Sequence, residues 1–265
     1  MKTLTGKSFR PRQRYAQHFL DDISVIQSII GALDLVDNST VIEIGPGQGA
    51  LTLPLLESLP RLVVIEIDRD LASHLEQTIG HTDKLRLYQA DALKFDFTKE
   101  IGGKIQVVGN LPYNISTPLL FHLLDHVPCI VSMVIMLQKE VADRICATHD
   151  CRDYGRLSIM VQSLCYADTL FNVAPESFTP PPKVESSVIK ITPFSPKEIT
   201  ITNRNLLKEL VRTAFSHRRK TIRNALSGIL TEETLVKAGI NPSSRPEEIP
   251  VKTYIHLANM INKNL

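Results

Sequence analysis

The sequence predicts an α/β fold: a Rossmann-like parallel sheet covered by helices and followed by a small all-α C-terminal domain. Short apolar, β-branched runs alternate with amphipathic segments, as in sheets whose strands are buried on both faces. Beyond Pro193–Pro196 the remaining segments all have helical character. We therefore expect a first domain over residues 1–195 and a second over residues 196–265.

Several apolar runs have the length and composition of buried strands. They are Thr40–Ile44, Leu62–Ile67, Leu85–Gln89, Ile105–Gly109 and Ile130–Leu137. A helix is expected before them, over Asp21–Leu35, because Ile23, Ile26, Ile30 and Leu33 recur close to the helical period.

The later part of the chain predicts one more strand pair and then helices. Ala167–Val173 and Val184–Ile191 flank the Pro-rich segment Pro175–Pro182, so they are expected to close the sheet as an antiparallel hairpin. The helical segments that follow are Asn205–Leu230, Thr231–Ala238 and Val251–Leu265.

The composition is that of an ordinary globular protein, 43% hydrophobic and 22% charged, with a formal net charge of +2. The four cysteines have no zinc-ligand spacing, so we expect reduced thiols in a cytoplasmic protein and no metal site. The longest apolar run, Ile130–Leu137, is much shorter than the roughly 18 residues of a membrane span. No membrane association and no secretory signal are expected.

A Gly-rich turn follows the first predicted strand and opens a helix. Glycines at Gly45, Gly47 and Gly49 allow a ligand to approach the backbone closely. The second strand ends at Glu66, about twenty residues on, where such folds place an acid against ribose hydroxyls. The third ends at Asp91, followed by Ala92, and its carboxylate is suited to an adenine amine. These groups predict a nucleotide-type pocket at one sheet edge.

The turn reads G-x-G-x-G rather than the G-x-G-x-x-G of dinucleotide sites. Glu43 lies just before it on the strand, where a negative charge repels a pyrophosphate. The same charge favours the sulfonium and ammonium groups of S-adenosylmethionine. The pattern thus indicates the methyl donor rather than NAD.

The fourth strand runs into Asn110-Leu111-Pro112-Tyr113. An adenine amine is a poor nucleophile because its lone pair is delocalised, so a methylating site should accept hydrogen bonds from its N–H groups. The Asn110 side-chain oxygen and the Leu111 carbonyl are the two candidate acceptors. Tyr113 offers a stacking face for the base, worth on the order of 1–3 kcal/mol. Since the sulfonium is already activated, positioning and electrostatics suffice without a strong base.

Together with these motifs, the chain resembles the ribosomal RNA adenine dimethyltransferases of the small-subunit type over nearly its whole length. The segments that carry the resemblance are Gln17–Leu20, Gly45–Gly49, Glu66, Asp91, Asn110–Tyr113, Phe178–Val184 and Phe215–Lys220. The resemblance implies a seven-stranded class I methyltransferase sheet and S-adenosylmethionine as donor. It also implies dimethylation of N6 on two adjacent adenines of small-subunit (16S-type) ribosomal RNA, free or in the pre-ribosomal subunit. One departure is Ala16, where the family usually has glycine.

The resemblance also implies roles for individual residues. The donor site is expected to include Gln17, His18, Leu20, Glu43, Gly45, Gly47, Glu66, Asp91, Ala92 and Asn110. Tyr113 and Phe178 are expected to sandwich the target adenine, with prolines after Phe178 holding its ring over the pocket mouth.

A basic cluster near the C-terminus is predicted to contact RNA phosphates. Its members are Arg212, Arg218, Arg219, Lys220 and Arg223. A continuous helix would place Arg212, Arg219 and Arg223 on one face, whereas a new helix beginning at Ser216 would break that alignment.

Three other functions are compatible with parts of this pattern. An NAD-dependent oxidoreductase would need the pyrophosphate turn that is missing. A large-subunit ribosomal RNA adenine N6-methyltransferase conferring antibiotic resistance shares the Asn-x-Pro-Tyr segment, but Phe215–Lys220 favours the small-subunit type. An assembly factor would bind RNA without catalysis, although the chain retains each group that the chemistry uses. We expect a monomer.

Overall fold

A computed structural model describes residues 18–216 and 219–263. The chain forms two compact units. One contains the chain up to Lys139 together with Leu170–Lys190, and the other contains Glu140–Thr169 and the chain from Ile191 onward. The chain leaves the first unit for the last time after Lys190, close to the predicted boundary at residue 195. The inclusion of Glu140–Thr169 in the second unit was not expected, and the functional division at residue 195 stays a prediction.

Seven strands form one sheet in the order β4-β3-β2-β5-β6-β9-β7, and β1 pairs with β8 in a separate two-stranded sheet. The strands are β1 (Phe19–Leu20), β2 (Ser39–Ile44), β3 (Leu62–Glu66), β4 (Leu85–Gln89), β5 (Lys104–Asn110), β6 (Ile130–Gln138), β7 (Cys165–Val173), β8 (Phe178–Thr179) and β9 (Ser186–Pro193). Strands β2 to β6 pair in parallel. The seven-stranded sheet is confirmed, and β7 and β9 are neighbours at its edge.

Helices lie between the strands and make up most of the C-terminal part. They are α1 (Ile23–Gly31), α2 (Thr52–Ser58), α3 (Arg69–Ile79), α4 (Phe97–Ile101), α5 (Ser116–Asp125), α6 (Lys139–Cys146), α7 (Arg156–Gln162), α8 (Arg204–Ala214), α9 (Ile222–Leu226), α10 (Glu232–Lys237) and α11 (Val251–Lys263).

Helix α1 begins where Asp22 caps it, since the Asp22 carboxylate accepts from the backbone N–H groups of Ser24 and Val25. Most of the expected apolar residues face the core: Leu33 is buried, and Ile26 and Ile30 pack against the core cluster. Ile23 is the exception, since it is 55% exposed, and the most buried residue of the helix is Ile29.

The core of the first unit contains one face of the sheet. Val64, Val108 and Val134 lie on three neighbouring strands and are fully buried in one apolar cluster. Glu43 pairs in register with Val64 on one side and Val108 on the other. Since residues in register share a face of a parallel sheet, the Glu43 carboxyl lies in a row of valines. This placement determines its chemistry.

Of the two alternatives for Asn205–Leu230, the interrupted one is correct, although the second helix does not begin at Ser216. Helix α8 ends at Ala214 and α9 begins at Ile222, with Thr221 rather than Ser216 as its N-cap residue. The first amides of α9 are held by a distant loop, because Ile222 N–H donates to the Ser244 carbonyl at 2.7 Å and Arg223 N–H to the Pro242 carbonyl at 3.2 Å. These long-range bonds fix a helix start that local sequence did not show.

Gly109 permits a close approach of β5 to β2 directly before Asn110. A Cβ atom at Gly109 would lie 2.5 Å from the Ile44 carbonyl oxygen, which is backbone and has little room to move. The residue therefore holds the ends of two strands together at one edge of the sheet.

We expect Gly109→Ala to lower the free energy of unfolding by about 1–3 kcal/mol, because the added methyl overpacks the contact between β5 and β2. The chain lacks tryptophan, so urea unfolding is best followed by far-ultraviolet circular dichroism. Gly31→Ala is the matched control, since nothing lies within 4 Å of a Cβ there. Equal urea midpoints for Gly109→Ala and the wild type would contradict this explanation.

Candidate functional site

A cavity of about 300 Å³ lies at the carboxyl ends of β2, β3, β4 and β5 in the first unit. Its size is at the lower end of ligand pockets, which run from roughly 300 to 1,000 Å³. Most of the residues predicted from sequence line it: His18, Leu20, Glu43, Gly45, Gly47, Glu66, Asp91, Ala92, Asn110, Leu111 and Tyr113. Gln17 lies outside the described residues.

The Gly-rich turn forms one wall. Gly45 N–H donates to the Ile65 carbonyl at 2.9 Å, which extends the pairing of β2 with β3 into the turn. Gly47 has a φ of +58°, and a Cβ there would lie 3.1 Å from the Phe19 ring. Phe19 supports the turn from the side of β1, so this aromatic residue contributes to the site although no role was expected for it from the sequence.

Glu43 is 1% exposed, and the Thr52 hydroxyl donates to its Oε2 at 2.6 Å. Burial raises the pKa of Glu43 to about 8, and the charge of Glu66 contributes to the same shift. Burial therefore favours the protonated form of this carboxyl, whereas the sequence analysis considered its charged form.

Glu66 and Asp91 are each oriented by backbone amides. Glu66 is buried, and its Oε1 accepts from Asp68 N–H at 2.8 Å. Burial raises the pKa of Glu66, while hydrogen bonds from Asp68, Gly47 and Ile67 amides oppose the shift. Asp91 Oδ1 accepts from Leu93 N–H at 3.0 Å. Both carboxyl groups thus have fixed directions before any ligand binds.

Ile67 also lines the cavity and is 46% exposed, so it presents an apolar surface beside the Glu66 carboxyl. In the sequence, the position of Ile67 directly after Glu66 at the end of β3 was the signal that could have placed it in the site. An exposed isoleucine in a pocket is suited to a flat ring.

The Asn110 amide has a defined orientation. Its Nδ2 donates to the His18 carbonyl at 3.1 Å, so Oδ1 is the acceptor end that remains. The next residue is held too, because Leu111 N–H donates to the Met136 carbonyl of β6 at 3.1 Å. The turn after β5 therefore leaves the Asn110 side-chain oxygen as an acceptor, and Leu111 lines the same cavity.

Tyr113 is half-buried, and its ring stacks on His18 with centroids 5.7 Å apart and planes 26° apart. Burial raises the pKa of its phenol above the usual value. The phenol oxygen is 2.6 Å from Ser186 Oγ. His18 Nδ1 lies 2.8 Å from the Pro180 carbonyl, which can only accept, so this nitrogen carries the proton.

Phe178 has a different position from the one expected. It is 2% exposed, pairs with Leu20 between β8 and β1, and belongs to the apolar core of the first unit. Phe178 is not among the described residues that line the cavity. The prolines do not hold its ring over the pocket mouth. Stacking on a base requires the ring to leave this packing, and that role stays a prediction.

The basic cluster of the second unit is partly paired with acids. Arg212 donates to Glu209 at 2.6 Å and 3.0 Å, and Arg223 contacts Glu232 at 3.2 Å. Arg219 and Lys220 are exposed, and Arg218 lies outside the described residues. Because α8 and α9 are separate helices, Arg212, Arg219 and Arg223 do not share one continuous helical face.

In residues 18–216 and 219–263, no helix is long and apolar enough to cross a membrane. The same ranges contain no group of histidine, cysteine and acidic side chains arranged to hold a metal ion. The four cysteines are free.

Residues 8–263 match the family model described as "Ribosomal RNA adenine dimethylase". The protein named "Ribosomal RNA small subunit methyltransferase A" from Pseudomonas aeruginosa is 49% identical over 254 residues, which cover 95% of each chain.

Two solved structures are similar over nearly the whole chain. The dimethyladenosine transferase from Plasmodium falciparum has a TM-score of 0.80 and 29% identity, covering 93% of this chain and 98% of that one. The 23S rRNA methyltransferase ErmE has a TM-score of 0.72 and 23% identity, covering 92% and 99%, and shows a shared fold.

The buried Glu43 carboxyl predicts a specific pH dependence of stability without ligand. The folded protein keeps this proton until about pH 8, whereas unfolded glutamate releases it near pH 4.3. The free energy of unfolding should therefore fall as pH rises through this window. Glu43→Gln lacks the titration and keeps an acceptor for Thr52, so it should lose less stability between pH 5 and pH 8.

Urea titrations at both pH values measure this difference. The titration of Glu66 also changes the free energy of unfolding with pH, but by a similar amount in the wild type and in Glu43→Gln. Glu57→Gln, at an exposed position on the same helix as Thr52, should behave like the wild type. A Glu43→Gln variant with an undiminished pH dependence would show that Glu43 is ionised in the folded protein without added ligand.

Proposed function

The chain belongs to the ribosomal RNA adenine dimethylase family and is an S-adenosylmethionine-dependent methyltransferase; from this premise we propose that it dimethylates N6 of two adjacent adenines in small-subunit ribosomal RNA. The observation that carries the proposal is the orientation of Asn110. Asn110 and Leu111 are adjacent at the end of β5 and line the same cavity, and the oxygen is the acceptor end of the Asn110 side chain.

The residues present are suited to S-adenosylmethionine. We assign the ribose hydroxyls to Glu66 and the adenine to Asp91 and Ala92, with Ile67 as an apolar surface. We assign the cationic methionine part to the side of Glu43 and Gly45. A bound sulfonium supplies a methyl group that is already activated for transfer. A cation beside Glu43 also favours loss of the Glu43 proton, which opposes the effect of burial on this carboxyl.

Asn110 and Leu111 activate the target amine by accepting its two N–H groups. The Oδ1 atom of Asn110 accepts one and the Leu111 carbonyl accepts the other, which directs the nitrogen lone pair toward the methyl group. Tyr113 stacks on the base and fixes its plane. The proton that N6 loses passes to water, so these residues act by position and electrostatics alone.

The second methylation of the same nitrogen starts from an amine with fewer N–H groups to donate. After one transfer N6 carries a single N–H, so one of the two acceptors faces a methyl group instead. The same site then holds the amine by one hydrogen bond and by the stacking of Tyr113. We expect the second transfer to depend more strongly on Tyr113 than the first.

Small-subunit RNA is favoured over the large-subunit alternative by sequence similarity. The relative that is 49% identical is named a small-subunit methyltransferase, whereas the large-subunit enzyme ErmE is 23% identical and supports only the fold. The substrate is ribosomal RNA, alone or in a pre-ribosomal subunit. A cytoplasmic, monomeric enzyme remains part of this proposal.

We assign RNA-phosphate binding to the basic cluster of residues Arg212, Arg218, Arg219, Lys220 and Arg223. The ion pairs of Arg212 and Arg223 are exposed, and such pairs contribute about 0–1 kcal/mol. RNA phosphates can therefore replace Glu209 and Glu232 at little cost.

The first experiment combines labelled S-adenosylmethionine with small ribosomal subunits from a strain that lacks the modification. After digestion, label should appear in N6,N6-dimethyladenosine. Asn110→Ala should lower the rate by about 10²–10³-fold, because the amine loses an oriented acceptor. Label in large-subunit RNA alone would contradict the proposed substrate, and donor binding without any label would support a non-catalytic role.

A second experiment tests the basic cluster. Arg219→Gln/Lys220→Gln should weaken RNA binding and reduce the slope of log K against log salt by roughly one for each phosphate that the variant no longer neutralises. Filter binding from 50 to 200 mM salt measures both effects. Lys99→Gln/Lys197→Gln removes two other exposed cations as a control. An unchanged salt slope in the first variant would exclude these residues from the RNA interface.

A further inference from the structure

Ser186 is a buried alcohol with a specific partner in the site. It is the first residue of β9, is 0% exposed, and lies far from Tyr113 in the sequence. Its Oγ is nevertheless 2.6 Å from the Tyr113 hydroxyl, a short hydrogen bond in which either oxygen can donate. The bond connects the turn after β5 to a strand elsewhere in the same sheet.

The start of β9 is a firm support for this bond. Lys139 N–H donates to the Glu185 carbonyl at 2.9 Å, and Ser187 Oγ donates to Asn172 Oδ1 at 2.7 Å. Residues on both sides of Ser186 are therefore tied to neighbouring segments. The backbone that carries Ser186 is held in place independently of Tyr113.

The Tyr113 ring is constrained at two points. Its hydroxyl end is bound to Ser186, and one face stacks on His18. The His18 ring is itself held through Nδ1 and the Pro180 carbonyl. A tyrosine ring has two side-chain torsions, so fixing both its tip and one face leaves it a single orientation.

We propose that Ser186 is a positioning residue for methyl transfer: it holds the Tyr113 ring in the plane on which the target adenine stacks. This inference rests on the proposed function. Loss of the Ser186 hydroxyl leaves a half-buried phenol without its partner, and the ring turns to find another. The base then follows the ring, and N6 moves relative to Asn110 Oδ1 and the methyl donor.

The test compares Ser186→Ala with Ser187→Ala in the methylation assay, using small subunits that lack the modification. Both serines are 0% exposed neighbours on β9, but only Ser186 contacts Tyr113. Ser186→Ala should lower kcat/KM for the RNA by about 10–100-fold. Affinity for S-adenosylhomocysteine, measured by calorimetry, should not change. Ser187→Ala should keep the wild-type kcat/KM.

A double variant distinguishes positioning from general stability. Each single variant already lacks the one hydrogen bond, so kcat/KM of Tyr113→Phe/Ser186→Ala should fall no further than in the lower of Ser186→Ala and Tyr113→Phe. Wild-type kcat/KM in Ser186→Ala, equal losses in both serine variants, or multiplied losses in the double variant would overturn the proposal.

Two further outcomes are decisive. If Ser186→Ala does not fold, Tyr113→Phe carries the test alone, because it removes the same hydrogen bond from the other side and should lower kcat/KM for the RNA. Wild-type kcat/KM in Tyr113→Phe then overturns the inference. A wild-type enzyme that methylates no small subunit overturns the proposed function itself, and the two failures are therefore distinguishable.

Discussion

The site depends on the parallel pairing of β2 with β3 on one side and with β5 on the other. Parallel strands buried on both faces end at the same edge of a sheet, so the residues that follow them converge whatever their distance in sequence. Glu43, Glu66 and Asn110 meet in one cavity for this reason. Gly109 keeps β5 close enough to β2 for Asn110 to stand beside the Gly-rich turn.

Hydrogen bonds then give the converging groups their chemical roles. The His18 carbonyl occupies the amide end of Asn110 and leaves the oxygen for the substrate amine. Glu43 lies in a row of buried valines, and this burial raises its pKa and favours the neutral carboxyl. His18 thus connects the segment before α1 to both Asn110 and Tyr113.

Local sequence was sufficient for the parallel strands β2 to β6, but not for the short strands β1 and β8. The run Leu62–Ile67 agrees with β3 within one residue, because β3 is buried on both faces and is a continuous apolar segment. Leu85–Gln89 agrees with β4, an edge strand in which exposed polar residues interrupt the apolar ones. Local sequence was insufficient where contacts with a distant part of the chain determine the position of a residue or the start of a helix. The start of α9 depends on carbonyls of Pro242 and Ser244, and Phe178 is buried through the pairing of β8 with β1. The bond between Tyr113 and Ser186 has no local signature at all.

The central claim is that Asn110 and Leu111 accept the N–H groups of the target adenine while Tyr113 stacks on its ring. A crystal structure with S-adenosylhomocysteine and a short RNA containing two adjacent adenines tests it directly. We predict one adenine N6 within hydrogen-bond distance of Asn110 Oδ1 and of the Leu111 carbonyl, with the base parallel to the Tyr113 ring. A base whose N6 lies away from the end of β5, or an Asn110 that presents Nδ2 to it, would contradict the claim.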